Sequence, residues 1–317
     1  MTSQQVGPVA PGTGPPGPPV ASGRRRRPFP LAVLAGARPK QWVKNLLVFA
    51  APGAAAVLDQ REAFLQTVGA FVCFCLASAG TYFLNDAADV EADRAHPTKR
   101  NRPVAAGEIG VATARVLAAV LIVAGVGGSA FIDWHLTVVV ASYVALTTAY
   151  STWLKHVAVA DVVAVAAGFV LRAIAGATAT GVPISNWFFI VASFGSLFMV
   201  VAKRRAEVET LGEAAASTRR TLGTYSLEYL SHLQTASMAV VLVGYCLWAF
   251  EKAAVADSGF PWFQLSIVPF ALAVLRYSLL VDTGHGGAPE EVVMGDRSLQ
   301  GFGAAWFAVF AAGVYWP

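Results

Sequence analysis

The stretch Asn85–Arg102, NDAADVEADRAHPTKRNR, follows directly on an apolar run from Gln66 to Leu84, in a chain of 317 residues that is only 13% charged. On an α-helix turning about 100° per residue, Asp86, Asp89 and Asp93 fall at about 0°, 300° and 340°, with Asn85 beside them at about 260° and Glu91 pointing away. Three carboxylates on one face repel each other unless a cation holds them. At the end of a membrane helix the expected guest is Mg²⁺ carrying a phosphorylated substrate. The bland alternative is a solvated helix end of mixed charge. The i, i+3, i+7 phasing and the cation-rich half that follows, with Lys99 and Arg102, argue against it. At such a polar mouth, replacing a carboxylate should cost little stability.

Composition bounds the class. With 56% hydrophobic residues and a mean hydropathy of +0.57, the chain holds many runs near the roughly 20 apolar residues that cross a bilayer. Nine spans are predicted, near residues 42–58, 64–84, 109–131, 136–153, 158–180, 186–202, 233–250, 262–281 and 301–316. These runs lack the alternation of barrel strands, and backbone amides in lipid must be satisfied internally. The expected fold is therefore an all-α integral membrane bundle.

Of the 23 Lys and Arg residues, 19 fall before or at the opening of the first span or in the loops after even-numbered ones, Arg61 and Lys252 lie in opposite loops, and Arg172 and Arg276 lie within spans. The positive-inside rule then places the N-terminus and those loops in the cytoplasm, which makes the protein a multi-pass inner (plasma) membrane protein with a cytoplasm-facing charged mouth. Trp42, Trp134, Trp153, Trp187, Trp248, Trp262 and Trp316 stand near predicted span ends, as an interfacial belt requires. Residues 1–30 read as a Pro/Gly/Arg-rich cytoplasmic tail without a core, unlike a signal peptide, and 31–317 as one transmembrane unit. The RRRR run at Arg24–Arg27 fits topology control and contact with anionic membrane lipids, not nucleic acid. Cys73, Cys75 and Cys246 all lie within spans, and the first two diverge by about 200° on a helix, so they read as small core residues.

Further polar groups gather in the same loops. RPKQWVKN, Arg38–Asn45, sets Arg38, Lys40 and Lys44 at helical spacing around Trp42, and YSTWLK runs from Tyr150 to Lys155. Each could be a plain interface anchor taken alone. The fifth span holds Asp161, Gly168 and Arg172; eleven residues put the two charges about 16 Å apart, too far to pair, so each must face a polar cavity or another helix. Arg276, near a span end, reads as a snorkelling side chain. AKRRAEVETLG, Ala202–Gly212, brings Lys203, Arg204 and Glu207 out where a bundle cavity would open. An acidic face together with many cations suits a substrate with several phosphates, metal for a diphosphate and guanidinium forks for monoesters.

NDxxDxxxD at Asn85–Asp93, after the second of nine spans, resembles the first aspartate-rich motif of the UbiA superfamily of intramembrane prenyltransferases. The likeness covers about residues 38–317. RPKQWVKN, YSTWLK with Asp161 and Arg172 downstream, and AKRRAE are most similar to the branch that transfers 5-phosphoribose from phosphoribosyl pyrophosphate to decaprenyl phosphate, a pentosyltransferase of cell-wall arabinan (arabinogalactan) biosynthesis. The resemblance implies a Mg²⁺ site at Asp86, Asp89 and Asp93, with Asn85. It also implies substrate contacts from Lys40, Lys44, Asn85, Lys99, Arg102, Tyr150, Lys155, Asp161, Arg172, Lys203, Arg204 and Glu207. It further implies inverting attack by the lipid phosphate at the anomeric carbon without a general base. Many members carry a second aspartate-rich motif after the sixth span. Here that place reads Lys203, Arg204, Arg205, Glu207, Glu209, which fits extra anionic groups and leaves the number of metal ions open.

Two alternatives define what must be excluded. A UbiA enzyme prenylating an aromatic, quinone or tetrapyrrole acceptor should show the missing second acidic motif. A transporter should show internal repeats and mid-depth charges, and this chain concentrates its charge at one mouth. The sequence fixes neither isoprenoid length nor oligomeric state, and a homo-oligomer is compatible with it.

Overall fold

The computed structural model describes residues 27–212, 221–256, 259–285 and 289–316, and among them there is no strand. Residues 1–26 of the expected tail, and Arg219 and Arg220 of the basic loop, lie outside the described residues. The described chain opens with α1, Phe29–Ala37, which takes in the last two residues assigned to that tail. The long helices are α3 (Arg61–Ala88), α5 (Val111–Ser129), α6 (Trp134–Thr152), α7 (Ala160–Thr180), α8 (Asn186–Leu211), α9 (Leu227–Val255), α10 (Trp262–Leu280) and α12 (Arg297–Tyr315). Short helices α2 (Ala50–Ala54), α4 (Val90–Ala95) and α11 (Pro289–Gly295) complete the set. The protein is a multi-pass membrane bundle.

Seven described helices are both long and apolar enough to cross a membrane, against nine predicted spans. The two differences have separate causes. α6 has 19 residues but mixes Thr, Ser, Tyr and His among its apolar residues. The first predicted span, 42–58, is wound mainly as a 3₁₀ helix, Pro39–Phe49, which runs into α2. Its burial follows a period of three: Asn45, Val48 and Ala51 are buried in one row, with half-buried Trp42 above them. That row lies along α7. Asn45 meets Arg172, and a Cβ on Gly176 would overlap the Val48 carbonyl, so glycine permits the contact. At about 2.0 Å per 3₁₀ residue, the segment to Ala54 reaches about 30 Å, whereas an α-helix of that length would reach about 24 Å.

Close backbone approach also joins α3 to α5. A Cβ on Gly125 would stand 2.7 Å from the Cys73 carbonyl oxygen and 2.9 Å from the Ala77 nitrogen. Small residues at such a crossing let dispersion act between backbones where lipid offers no hydrophobic drive. α7 packs against α3, α6, α8 and the 3₁₀ segment, so its ends can bring polar groups from all of them together.

Candidate functional site

The aspartate-rich segment is not one continuous helix. α3 ends at Ala88, Asp89 lies in a bend with φ −97° and ψ 15°, and α4 begins at Val90. The break turns the expected row of three into a converging pair. Asp86 and Asp93 are 1% and 3% exposed, and both meet Arg102, whose Nη1 lies 3.2 Å from Asp86 Oδ1 and 2.7 Å from Asp93 Oδ2. Arg38 donates to the same Asp86 Oδ1, while Asp86 Oδ2 is buried without a partner. Asp89 and Asn85 are only half-buried and stand outside this convergence. Among the described residues no three acidic, His or Cys side chains are grouped to hold a metal ion by themselves.

Arg38 sits at the joint between α1 and the 3₁₀ segment with φ +53°, a conformation unusual for a non-glycine residue. Its guanidinium lies 4.9 Å from the Tyr82 ring centroid. Burial lowers its pKa from the ordinary arginine value, while Asp86 beside it acts in the opposite sense. A second, deeper cation stands on α7.

That deeper cation is held by neutral groups. Arg172 donates from Nε to Asn45 Oδ1 at 2.7 Å, from Nη1 to the Gly168 carbonyl at 2.6 Å and from Nη2 to the Tyr143 hydroxyl at 3.0 Å. The rings of Tyr143, Phe169 and Phe74 surround it at 4.7, 5.5 and 5.9 Å. Asn45 completes the link through its amide to Cys75 and Ser78. The Asn45–Arg172 contact braces the 3₁₀ segment against α7. As the eleven-residue spacing required, Arg172 and Asp161 do not pair.

Asp161, fully buried in the first turn of α7, anchors a second constellation. A carboxylate there is favoured by the helix dipole. It accepts from the Tyr225 hydroxyl at 2.5 Å and Thr221 Oγ1 at 3.4 Å, and Arg204 Nε lies 3.6 Å away. Arg204 reaches Glu207 Oε2 at 2.5 Å and the Tyr150 hydroxyl at 3.3 Å. Burial and the hydrogen bond to Asp161 push the Tyr225 pKa well above the ordinary tyrosine value, so it stays a donor. The same hydroxyl accepts from the Val159 amide at 2.6 Å, steadying a residue whose φ is +69°.

The expected site residues thus divide. Asp86, Asp93 and Arg102 converge, and Asp161, Tyr150, Arg204 and Glu207 converge separately. Arg204 is 5% exposed and held within this network by Glu207, Tyr150 and Asp161. Lys203 remains 44% exposed in its side chain, with Glu207 at 3.9 Å. Lys40 and Lys99 are exposed and Lys155 is half-buried. Lys40 and Lys44, four residues apart, stand about 120° apart because a 3₁₀ helix turns about 120° per residue. Arg276 does not simply snorkel: it pairs with Asp296 at 2.7 Å, and Asp296 caps α12.

Arg38 as an aspartate partner, Tyr225 and Thr221 are additions that sequence reasoning missed. For Arg38 its place in RPKQWVKN was a signal; for Thr221 and Tyr225 there was none. A cavity of about 550 Å³ lies between the C-terminal half of α7 and the start of α8, lined by Ile174, Ile184, Asn186, Phe189 and Ile190.

Because Arg204 neutralises a fully buried Asp161, Arg204→Ala should destabilise the protein by about 3–5 kcal/mol, whereas Lys203→Ala should cost under about 1 kcal/mol. Denaturation in mixed micelles measures both. Equal losses would contradict the division of roles.

The described helices form a membrane bundle whose buried Asp–Arg constellations gather where α3 and α8 end and α7 begins. Residues 46–314 match the UbiA prenyltransferase family, and the chain belongs to it. It is 44% identical over 299 residues to the decaprenyl-phosphate phosphoribosyltransferase of Corynebacterium glutamicum, covering 92% of this chain and 90% of that protein. It is 42% identical over 286 residues to the protein of the same name from Mycobacterium tuberculosis, covering 89% and 94%. Among solved structures, a UbiA homologue from Archaeoglobus fulgidus bound to GPP and Mg²⁺ superposes with a TM-score of 0.65 at 17% identity, over 89% of this chain and 98% of that one. The same homologue bound to DMAPP and Mg²⁺ gives a TM-score of 0.67 at 16% identity.

Proposed function

We propose that this protein transfers 5-phosphoribose from phosphoribosyl pyrophosphate to decaprenyl phosphate, releasing pyrophosphate, with its reacting centre open to the cytoplasm. The observation that carries the reading is the 42–44% identity, over 89–92% of this chain, to decaprenyl-phosphate phosphoribosyltransferases. The site chemistry agrees with it. Lys203, Arg204 and Arg205, with Glu207 and Glu209, stand at the end of α8 in place of a second aspartate-rich motif.

The residues present fit a divalent cation of the kind that carries a diphosphate. Asp86 offers a buried oxygen without a partner, and Asp93 lies on the same guanidinium. Mg²⁺ is commonly held by one or two carboxylates plus substrate phosphates rather than by an all-protein cage. Asp86 and Asp93 would hold it, with Asp89 at the bend adding negative charge nearby. When bound, it would neutralise the departing pyrophosphate.

The chain's own residues would do the rest. Arg38 and Arg102 present guanidinium forks suited to phosphate oxygens as well as to carboxylates. Lys203, Lys40 and Lys99 are the accessible cations for the 5-phosphate and the lipid phosphate, and Lys44 and Lys155 line the approach. Asp161, Glu207 and Tyr150 fix Arg204 and so shape the mouth. Arg172 and Asn45 hold the 3₁₀ segment that carries Lys40 and Lys44 and follows directly on Arg38. The acceptor oxygen is already anionic, so no base has to deprotonate it. Attack opposite the leaving group inverts the anomeric carbon, through a state with oxocarbenium character.

Donor choice tests the reading. Purified protein should convert phosphoribosyl pyrophosphate with decaprenyl phosphate, and should leave geranylgeranyl diphosphate with 4-hydroxybenzoate unchanged. Efficient turnover of the second pair would overturn the proposed substrate class and keep only the family.

A further inference from the structure

We infer that the aspartate face admits a divalent cation only together with a phosphate-bearing donor, because Arg38 and Arg102 already occupy the carboxylates that would bind it. The inference rests on the reading of Asp86 and Asp93 as the metal-bearing pair. Three observations support it.

The first is charge balance. Two carboxylates, with side chains 1% and 4% exposed, are met by two guanidiniums whose side chains are 28% exposed. A bare dication would add two positive charges beside two arginines in a poorly solvated place. A diphosphate arriving with the metal supplies the missing negative charge. The second is oxygen availability. Arg38 and Arg102 both take Asp86 Oδ1, and Arg102 also takes Asp93 Oδ2, leaving Asp86 Oδ2 as the buried oxygen without a partner. Two carboxylates already shared with guanidiniums do not make a shell for an ion that prefers six oxygen ligands. The third is the bend at Asp89, which keeps the third carboxylate half-exposed and outside the convergence. Donor phosphates can both complete the metal's shell and accept the two guanidinium forks, so each arginine exchanges a carboxylate for a phosphate partner. Arg38 and Arg102 therefore couple metal binding to donor binding.

The test measures Mn²⁺ retained by the purified full-length protein in equilibrium dialysis, at equal buffered free Mn²⁺, with and without pyrophosphate. In the wild type, pyrophosphate should tighten Mn²⁺ retention by about tenfold or more. Arg102→Gln should bind Mn²⁺ alone about tenfold more tightly than wild type and lose most of the pyrophosphate-dependent gain, since a competing unit charge is gone. Arg38→Gln should shift in the same direction, and Arg102→Lys, which keeps the charge, should restore the wild-type dependence. Equal Mn²⁺ retention by the wild type with and without pyrophosphate would overturn the inference, as would weaker binding of Mn²⁺ alone to both Gln variants. Asp86→Asn separates the two levels of the argument. Loss of Mn²⁺ in both arms supports the metal-bearing pair, and wild-type retention would overturn that reading and the inference with it.

Discussion

Asp86→Asn and Asp93→Asn should each lower turnover by about three orders of magnitude, comparable to the upper range for removing one group that stabilises developing charge. Both carboxylates converge on Arg102, and Asn keeps their shape while removing the charge a divalent cation needs. The choice of Asn matters. A polar mouth suggested that truncation would be structurally cheap, but Asp86 is 1% exposed and shared by two arginines. Asp86→Ala would strand two guanidiniums and open a gap, so lost activity would be confounded with lost stability. Single-turnover rates at saturating Mg²⁺, with thermal unfolding in detergent as the companion measurement, separate the two effects. Near-wild-type rates in either Asn variant would remove the carboxylate pair from the chemistry.

The second large effect concerns a part of the donor that breaks no bond. Removing the 5-phosphate from phosphoribosyl pyrophosphate should lower kcat/KM by roughly 10² to 10⁴, the equivalent of two charge-assisted hydrogen bonds at about 1.5–3 kcal/mol each. In the proposed reading Lys203, 44% exposed in its side chain and 3.9 Å from Glu207, makes one of them. The loss should therefore shrink in Lys203→Ala, which has already lost part of the interaction. An unchanged penalty in that variant would move the 5-phosphate to other cations, with Lys40 and Lys99 the next to examine.

The reach of sequence reasoning followed the range of the interactions involved. The aspartates were legible because three carboxylates at i, i+3 and i+7 after an apolar run form a local pattern. Separation of Asp161 from Arg172 was legible from helix rise alone. The bend at Asp89 was not, since nothing in AADVEA interrupts a helical pattern. Nor was the 3₁₀ winding of Pro39–Phe49, because an apolar run of that length reads the same at 3.0 or 3.6 residues per turn. Only packing against α7, through Asn45, Val48 and Gly176, reveals the period of three. Arg204 and Lys203 are neighbours in KRR, and sequence could not tell which of them tertiary contacts would bury. Thr221 and Tyr225 come from beyond the α8 loop to satisfy Asp161, a contact spanning 60 and more residues that leaves no local trace.

The most direct test of the whole account follows two labels through one reaction. Purified protein is incubated with Mg²⁺, decaprenyl phosphate and phosphoribosyl pyrophosphate labelled distinctly at its 5-phosphate and at its diphosphate. The 5-phosphate label should pass into the organic phase in stoichiometric step with diphosphate label appearing as aqueous pyrophosphate, and both should stop in Asp86→Asn. Diphosphate label entering the lipid, or neither label moving with this acceptor, would contradict phosphoribosyl transfer.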